Sequence, residues 1–421
     1  MIQRIEILPG ITLRCFPDHR FKQNCLSIQF VRSMKREEAA LNALLPAVLL
    51  RGCKSAPDLR DITLRLDDLY GASVSTLVRR VGDYQATGLS CCFISDRFAL
   101  DADRILQPMV AFLGELLLTP VTENGIFRAD YVESEKKNLV STIESQLNDK
   151  RAYCNGQMLK KMCREDAFGI PRLGEVADVK AITPEGLYAH YQKVLRESRV
   201  ELCYVGEGAA EDVAKLLKPL FEDIDRCYVN LPEQTPFRSC GGGDFTQTLE
   251  ISQGKLAMGF ATPVTLRSGD FAAMQVCNMV FGGGMTSKLF MNVREKMSLC
   301  YDIGSSYHGS KGILTVSAGI DCEQKETVLA EVARQLEKVC SGDITADELA
   351  CAKQALISGL QGTHDAPGSI EGYYASAALS GLPLTPEEYM EKIAAVTAED
   401  VAAMAKTLRL DTVYFLKGAA Q

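Results

Sequence analysis

An internal repeat constrains this chain more than any other feature. Ala181-Ile182-Thr183-Pro184-Glu185 opens a helical stretch that leads into the strand-like Val200-Glu201-Leu202-Cys203-Tyr204-Val205-Gly206. About half the chain later, Ala395-Val396-Thr397-Ala398-Glu399 opens a second such stretch, followed by Thr412-Val413-Tyr414-Phe415-Leu416-Lys417-Gly418. In each copy the threonine can cap the helix and the following acid suits its first turn. Helical segments 130–143 and 347–360 echo each other at nearly the same spacing. Leu139, Val140 and Ile143 form the apolar stripe of one, and Leu349, Ala352, Leu356 and Leu360 that of the other. Such self-similarity predicts two similar halves.

Each half mixes strands and helices. In the first, residues 25–31 read as a strand and 36–51 as a helix, with Leu41, Leu44, Leu45, Val48 and Leu49 at helical spacing and Gly52 to end it. Residues 74–81 and 84–93 read as a hairpin around Gly82-Asp83, and 105–118 as a helix. The second half repeats the order: strand 255–260, helices 271–281 and 285–296, paired strands around Gly309 to Gly312, and helix 325–339. This predicts an α+β fold of two halves, each a mainly antiparallel sheet with helices packed on it. The expected division is 1–228, a linker at 229–244 with Pro232, Pro236 and Gly241-Gly242-Gly243, and 245–421.

Composition narrows the class. The 421 residues are 47% hydrophobic and 24% charged, with a net charge of −8, which argues against a broad phosphate-binding face and so against nucleic acid as a partner. No apolar run reaches membrane-spanning length, and the N-terminus lacks a basic region followed by an apolar one, so a cytoplasmic protein without a membrane partner is expected. Fifteen cysteines, an odd number with none in C-x-x-C spacing, fit reduced thiols. A cysteine nucleophile would need a neighbouring histidine, and only His19, His190, His308 and His364 are available.

Gly206-Glu207-Gly208-Ala209-Ala210-Glu211 nearly matches a dinucleotide fingerprint, but Glu211 occupies the third glycine position and would oppose a pyrophosphate, so a structural turn is expected there. The segment Phe281-Gly282-Gly283-Gly284-Met285-Thr286-Ser287-Lys288-Leu289-Phe290 is more specific. Its glycines allow close backbone approach. Thr286 or Ser287 can cap the helix that follows, whose apolar stripe is Leu289, Val293 and Met297. Arg294 lies beside that stripe and Tyr301 lies past its end, a pair able to bond peptide carbonyls or a terminal carboxylate. The plainer alternative is a surface Arg–Glu pair and a half-buried tyrosine.

This glycine-rich stretch, with Val293-Arg294-Glu295-Lys296-Met297-Ser298-Leu299-Cys300-Tyr301 after it, resembles the second half of insulinase/pitrilysin-family peptidases. In that family two halves of α+β type form one shell, and two shells enclose a peptide chamber, so the resemblance implies a dimer. The family's inverted zinc motif, H-x-x-E-H, supplies two ligands and a general base. Here it falls on Ala43-Leu44-Leu45-Pro46-Ala47, so Ala43 and Ala47 stand at the ligand positions and Pro46 at the base. Glu135 matches the supporting acid of a later helix, Thr142 stands where the further ligand belongs, and Glu144 is an acid without partners.

The resemblance therefore implies a zinc-motif-less subunit, inactive alone, that lends Arg294, Tyr301 and the Gly282-Gly283-Gly284 loop to a composite site. Zinc is expected in a sibling chain bearing H-x-x-E-H and not in this one, with an unfolded peptide as substrate. The bacterial subgroup it is most similar to is the zinc-motif-less member of a sibling pair associated with the 5-aminopentanol modification of elongation factor P. The alternative is a peptide-binding or scaffold homodimer of the same fold that acts without proteolysis.

Overall fold

The computed structural model describes residues 2–100 and 103–418, which form two compact units. The first unit comprises Met1–Glu144, Pro171–Glu233 and His364–Leu379, and the second Ser145–Ile170, Gln234–Thr363 and Ser380–Gln421.

The first unit is built on β1 (Gln3–Leu8), β2 (Ile11–Pro17), β3 (Gln23–Ser33), β4 (Ser73–Val81) and β5 (Tyr84–Ile94), with the small hairpin β6 (Thr122–Glu123) and β7 (Ile126–Phe127) apart from the sheet, and on β8 (Arg199–Gly206). The sheet order is β1-β2-β8-β3-β5-β4. The second unit carries β9 (Gly243–Leu249), β10 (Gly254–Ala261), β11 (Asp302–His308), β12 (Ile313–Ile320) and β13 (Arg409–Gly418), in the order β11-β12-β10-β13-β9. With β1 set aside, the two orders correspond strand for strand, β2-β8-β3-β5-β4 against β9-β13-β10-β12-β11. A parallel pair falls at the same place in each, β2 with β8 and β9 with β13, and the remaining pairings of both sheets are antiparallel. The repeat in the sequence is thus a repeat of topology.

The helices before β9 are α1 (Arg36–Leu49), α2 (Leu59–Asp68), α3 (Leu106–Leu118), α4 (Ala129–Ser145), α5 (Lys150–Met162), α6 (Val176–Ala181), α7 (Pro184–Glu197), α8 (Ala210–Leu217) and α9 (Pro219–Glu222). After β9 come α10 (Phe271–Asn278), α11 (Lys325–Ser341), α12 (Ala346–Gln361), α13 (Pro367–Ser380), α14 (Pro386–Ala395) and α15 (Ala398–Ala405). The two threonines of the repeat cap as the sequence suggests. Thr183 Oγ1 accepts from Gly186 N at 3.1 Å, and Thr397 Oγ1 from Asp400 N at 3.2 Å.

Each sheet is buried on both faces. In the first unit, Leu26 and Ile28 of β3 pack with Leu44 and Val48 of α1 and Leu113 of α3. On the opposite face, Cys25, Cys203 and Val205 meet Ile370 and Tyr374 of α13. In the second unit, Leu256 and Phe260 pack with Val276 of α10 and Val401 of α15, and the opposite face is closed by Cys154, Met158 and Met162 of α5. Helices α5 and α13 hold equivalent places in the two sequence halves, yet α5 belongs to the second unit and α13 to the first. Cover on two faces explains why β3 and β12 are buried almost end to end, polar residues such as Ser27, Gln29 and Ser317 included.

The 74–93 hairpin turns at Gly82, whose φ of 58° lies in the left-handed region that glycine adopts without steric cost. The helix expected over 285–296 is shorter and of another type: residues 284–288 are irregular or a single turn, and Leu289–Lys296 is a π-helix. No helix among the described residues is long and apolar enough to cross a membrane.

Candidate functional site

The zinc-motif positions lie on α1. Ala43 and Pro46 are buried and Ala47 half-buried, and none of the three side chains has a donor atom for a metal. Pro46 sits inside the helix and has no N–H to bond the carbonyl of Asn42, four residues back. That carbonyl accepts instead from Thr87 Oγ1 of β5 at 2.6 Å. The helix therefore tolerates proline at this position because the neighbouring strand supplies the missing donor. Thr87→Val should strand the Asn42 carbonyl and cost about 1–3 kcal/mol, read as faster amide exchange in α1.

Glu135 of α4 is committed to other partners. Its carboxylate takes Arg51 Nη1 at 3.1 Å and Asn138 Nδ2 at 3.1 Å, and the Arg51 guanidinium lies 4.9 Å from the Tyr131 ring centre. Thr142 is exposed and its hydroxyl donates to the Asn138 carbonyl at 2.9 Å. The acid expected to support a metal thus forms an ion pair, and the residue at the further ligand position bonds its own helix.

A buried polar chain runs behind these positions. His190 Nε2 of α7 lies 2.8 Å from Asn42 Oδ1, Asn42 Nδ2 donates to Gln85 Oε1 at 2.9 Å, and Gln85 Nε2 donates to the carbonyls of Ala39 and Arg172. Burial holds His190 down from 6.5 to about 4, so the ring is neutral and its Nε2–H donates to Asn42. Between pH 6.5 and 4 the unfolded chain binds a proton at this histidine and the folded chain does not, so stability falls as pH falls through that window. The loss approaches about 3 kcal/mol. Burial would raise Glu38, but bonds from Arg32 and Lys193 override it and hold this acid at about 2, so its contribution persists until lower pH, between 4.5 and 2. Urea unfolding from pH 7 to pH 4, followed by probes within α1 and α7 of the first unit, should show the loss, and His190→Gln, which keeps a donor for Asn42, should flatten it.

The glycine-rich segment of the second unit runs from the end of one π-helix, Met279–Gly283, into the start of another, Leu289–Lys296. The wider i→i+5 turn is rare and recurs at functional positions. Gly282 is buried, and a Cβ there would lie 2.7 Å from Leu289 Cδ1 and 2.8 Å from Ser305 Oγ, so the chain passes where only glycine fits. Gly283 is exposed and Gly284 half-buried. Ser287 Oγ accepts from Phe290 N at 3.3 Å and serves as the cap expected of Thr286 or Ser287.

Leu289 and Val293 form the buried stripe, but Met297 is 45% exposed. Each π turn takes more residues than an α turn, and the chain leaves the helix at Ser298 with φ 52°, so Met297 falls off the apolar face. The Arg294 guanidinium lies 4.6 Å from the Phe290 ring centre and 3.6 Å from the Glu295 carboxylate. Tyr301 is held by its backbone, N–H to the Gly319 carbonyl at 2.9 Å, and the residue is 63% exposed rather than half-buried. No hydrogen bond joins the side chains of Arg294 and Tyr301 among the described residues. Met285, Met291 and Met297 are exposed in the same segment, a soft and adaptable surface that periodicity did not signal.

Among the described residues no group of three or more His, Cys, Asp or Glu is placed to hold a metal ion. Residues 181–356 match the family description "Peptidase M16 inactive domain". The chain is 30% identical over 409 residues to a Bacillus subtilis protein described as "Probable inactive metalloprotease YmfF", covering 97% of this chain and 96% of that one. A conserved protein from Enterococcus faecalis V583 superposes with a TM-score of 0.93 at 28% identity, covering 100% of this chain and 99% of its own. A peptidase M16 inactive domain from Pseudomonas fluorescens shares the fold, with a TM-score of 0.82 at 18% identity over 100% of this chain and 98% of its own. With the motif positions occupied by Ala43, Pro46 and Ala47, the chain belongs to the insulinase-type M16 peptidase family as a member that lacks the zinc motif.

Proposed function

We propose that this chain is the non-catalytic subunit of a two-chain zinc metallopeptidase. It supplies a peptide-holding surface to a site completed by a sibling that bears H-x-x-E-H and zinc. The observation that carries this reading is the contrast between the two units. The zinc positions of the first are filled by packing residues, whereas Arg294 and Tyr301 of the second present polar groups to solvent beside a glycine-restricted loop. The guanidinium suits a substrate carboxylate or carbonyl, the phenol can donate to a carbonyl, and the exposed backbone of Gly283 and Gly284 allows close approach of an extended chain.

On this reading the substrate is an unfolded peptide held through backbone contacts. The protein works in the cytoplasm, and its halves 1–228 and 245–421 are joined by the segment 229–244. Purification from native cells with mass spectrometry of the co-purifying chains tests the pairing. A stoichiometric sibling of similar length with H-x-x-E-H and bound zinc is expected, with substoichiometric zinc in the chain purified alone. A homodimer with no such sibling would overturn the reading and favour a non-proteolytic scaffold.

A further inference from the structure

Strands β3 and β5 place Cys25 directly opposite Cys92 in their antiparallel register. Residues so paired have Cα atoms about 4.5–5.5 Å apart, within the roughly 4.4–6.8 Å that disulfides span. Both side chains point to the face covered by α13, where Cys25, Cys203, Ile370 and Tyr374 cluster and Cys92 packs at the margin. Cys91, one residue away, points into the opposite core. The two thiols of the pair are unequally placed: Cys25 is 3% exposed, whereas Cys92 is half-buried. Interaction with the Cys25 thiol pulls the Cys92 pKa below the ordinary thiol value, against burial and the nearby Glu371 charge. The same interaction, with burial, pushes Cys25 up.

We infer that Cys92 and Cys25 are a nucleophile and its resolving thiol, a modification site for low-molecular-weight disulfides of the glutathione class. An accessible thiolate beside a second thiol is the arrangement that reactive cysteine pairs use. The Cys92 thiolate attacks one sulfur of oxidised glutathione. That S–S bond breaks, a mixed disulfide forms on Cys92, and one glutathione thiolate leaves and takes up a proton. Cys25 then gives its proton to solvent and attacks the Cys92 sulfur, and the second glutathione thiolate leaves. Two protein thiols are oxidised and one glutathione disulfide is reduced to two thiols. The product is a reversible link between β3 and β5 beneath α13.

The test uses the full chain, incubated with oxidised glutathione at pH 7.5, alkylated and mapped without reduction by mass spectrometry. A peptide linking Cys25 to Cys92, removed by dithiothreitol, is expected. Cys25→Ser should trap glutathione on Cys92. Because that buried substitution can disturb folding, alkylation rates in the unmodified chain serve as a second readout: Cys92 should react at least about tenfold faster than Cys91. Equal rates at Cys91 and Cys92, glutathione found only on exposed Cys227 or Cys351, or a mixed disulfide on Cys92 that never resolves would each overturn the inference.

Discussion

Replacing Glu371 with alanine is expected to cost the first unit about 3–5 kcal/mol, the range for removing one member of a buried ion pair. Glu371 is a second-half residue carried by α13, and its side chain is 3% exposed. Arg79 of β4 grips both oxygens, Nη1 to Oε1 at 2.9 Å and Nη2 to Oε2 at 2.7 Å. Ser27 Oγ and Gln29 Nε2 of β3 donate to Oε1 at 2.7 and 3.1 Å. Alanine would leave the Arg79 guanidinium and the Ser27 hydroxyl without this acceptor and the Gln29 amide with Ser27 Oγ at 3.2 Å in its place. Because the chain has two units, a single unfolding midpoint is a poor readout. Amide exchange is the sharper one: α13, β3 and β4 should lose protection while the α5-covered sheet keeps its own. Ser27→Ala, which removes one neutral donor, should cost only about 1 kcal/mol. Unchanged exchange in Glu371→Ala would mean that α13 is held by its apolar face alone.

In the pair formed with a zinc-bearing sibling, Arg294→Ala is expected to lower kcat/KM for peptide cleavage by about 10–100-fold. A hydrogen bond from a charged group is worth about 1.5–3 kcal/mol, and every 1.4 kcal/mol is a factor of ten. The Glu295 carboxylate at 3.6 Å is a weak and solvent-exposed partner, so the guanidinium can exchange it for substrate at little cost. Arg294→Lys should recover part of the loss, since an ammonium keeps the charge without the planar fork. Tyr301→Phe removes one hydroxyl and should cost less, about 5–10-fold, consistent with a neutral hydrogen bond of about 1 kcal/mol. Neither side chain packs in the core, so both variants should fold normally.

Much of the fold was legible in the sequence, for physical reasons that can be named. The capping threonines Thr183 and Thr397 recur, each at the start of a helix that leads into a strand, because the first turn of each helix needs partners for its free N–H groups. The 74–93 hairpin was marked by Gly82-Asp83, and α1 by its apolar spacing. The exchange of α5 and α13 was not legible. An amphipathic stripe such as Cys154, Met158 and Met162 says that a face must be covered, not which sheet covers it. The π-helices were missed because an α-periodic pattern was assumed, and Met297 was misplaced by the same assumption. At the first-unit site the absence of zinc ligands could be read directly from Ala43, Pro46 and Ala47. Thr87, which accommodates Pro46, could not, because it comes from a strand with no spacing relation to the helix.

The central claim is that the chain contributes to a peptidase site it cannot run alone, and reconstitution tests it most directly. Cleavage of an unfolded peptide would be measured for this chain, for a zinc-bearing sibling, and for an equimolar mixture. The account predicts no cleavage by this chain, little by the sibling, and zinc-dependent cleavage by the mixture that falls with Arg294→Ala. Full activity of the sibling alone, or a mixture indifferent to Arg294, would contradict it.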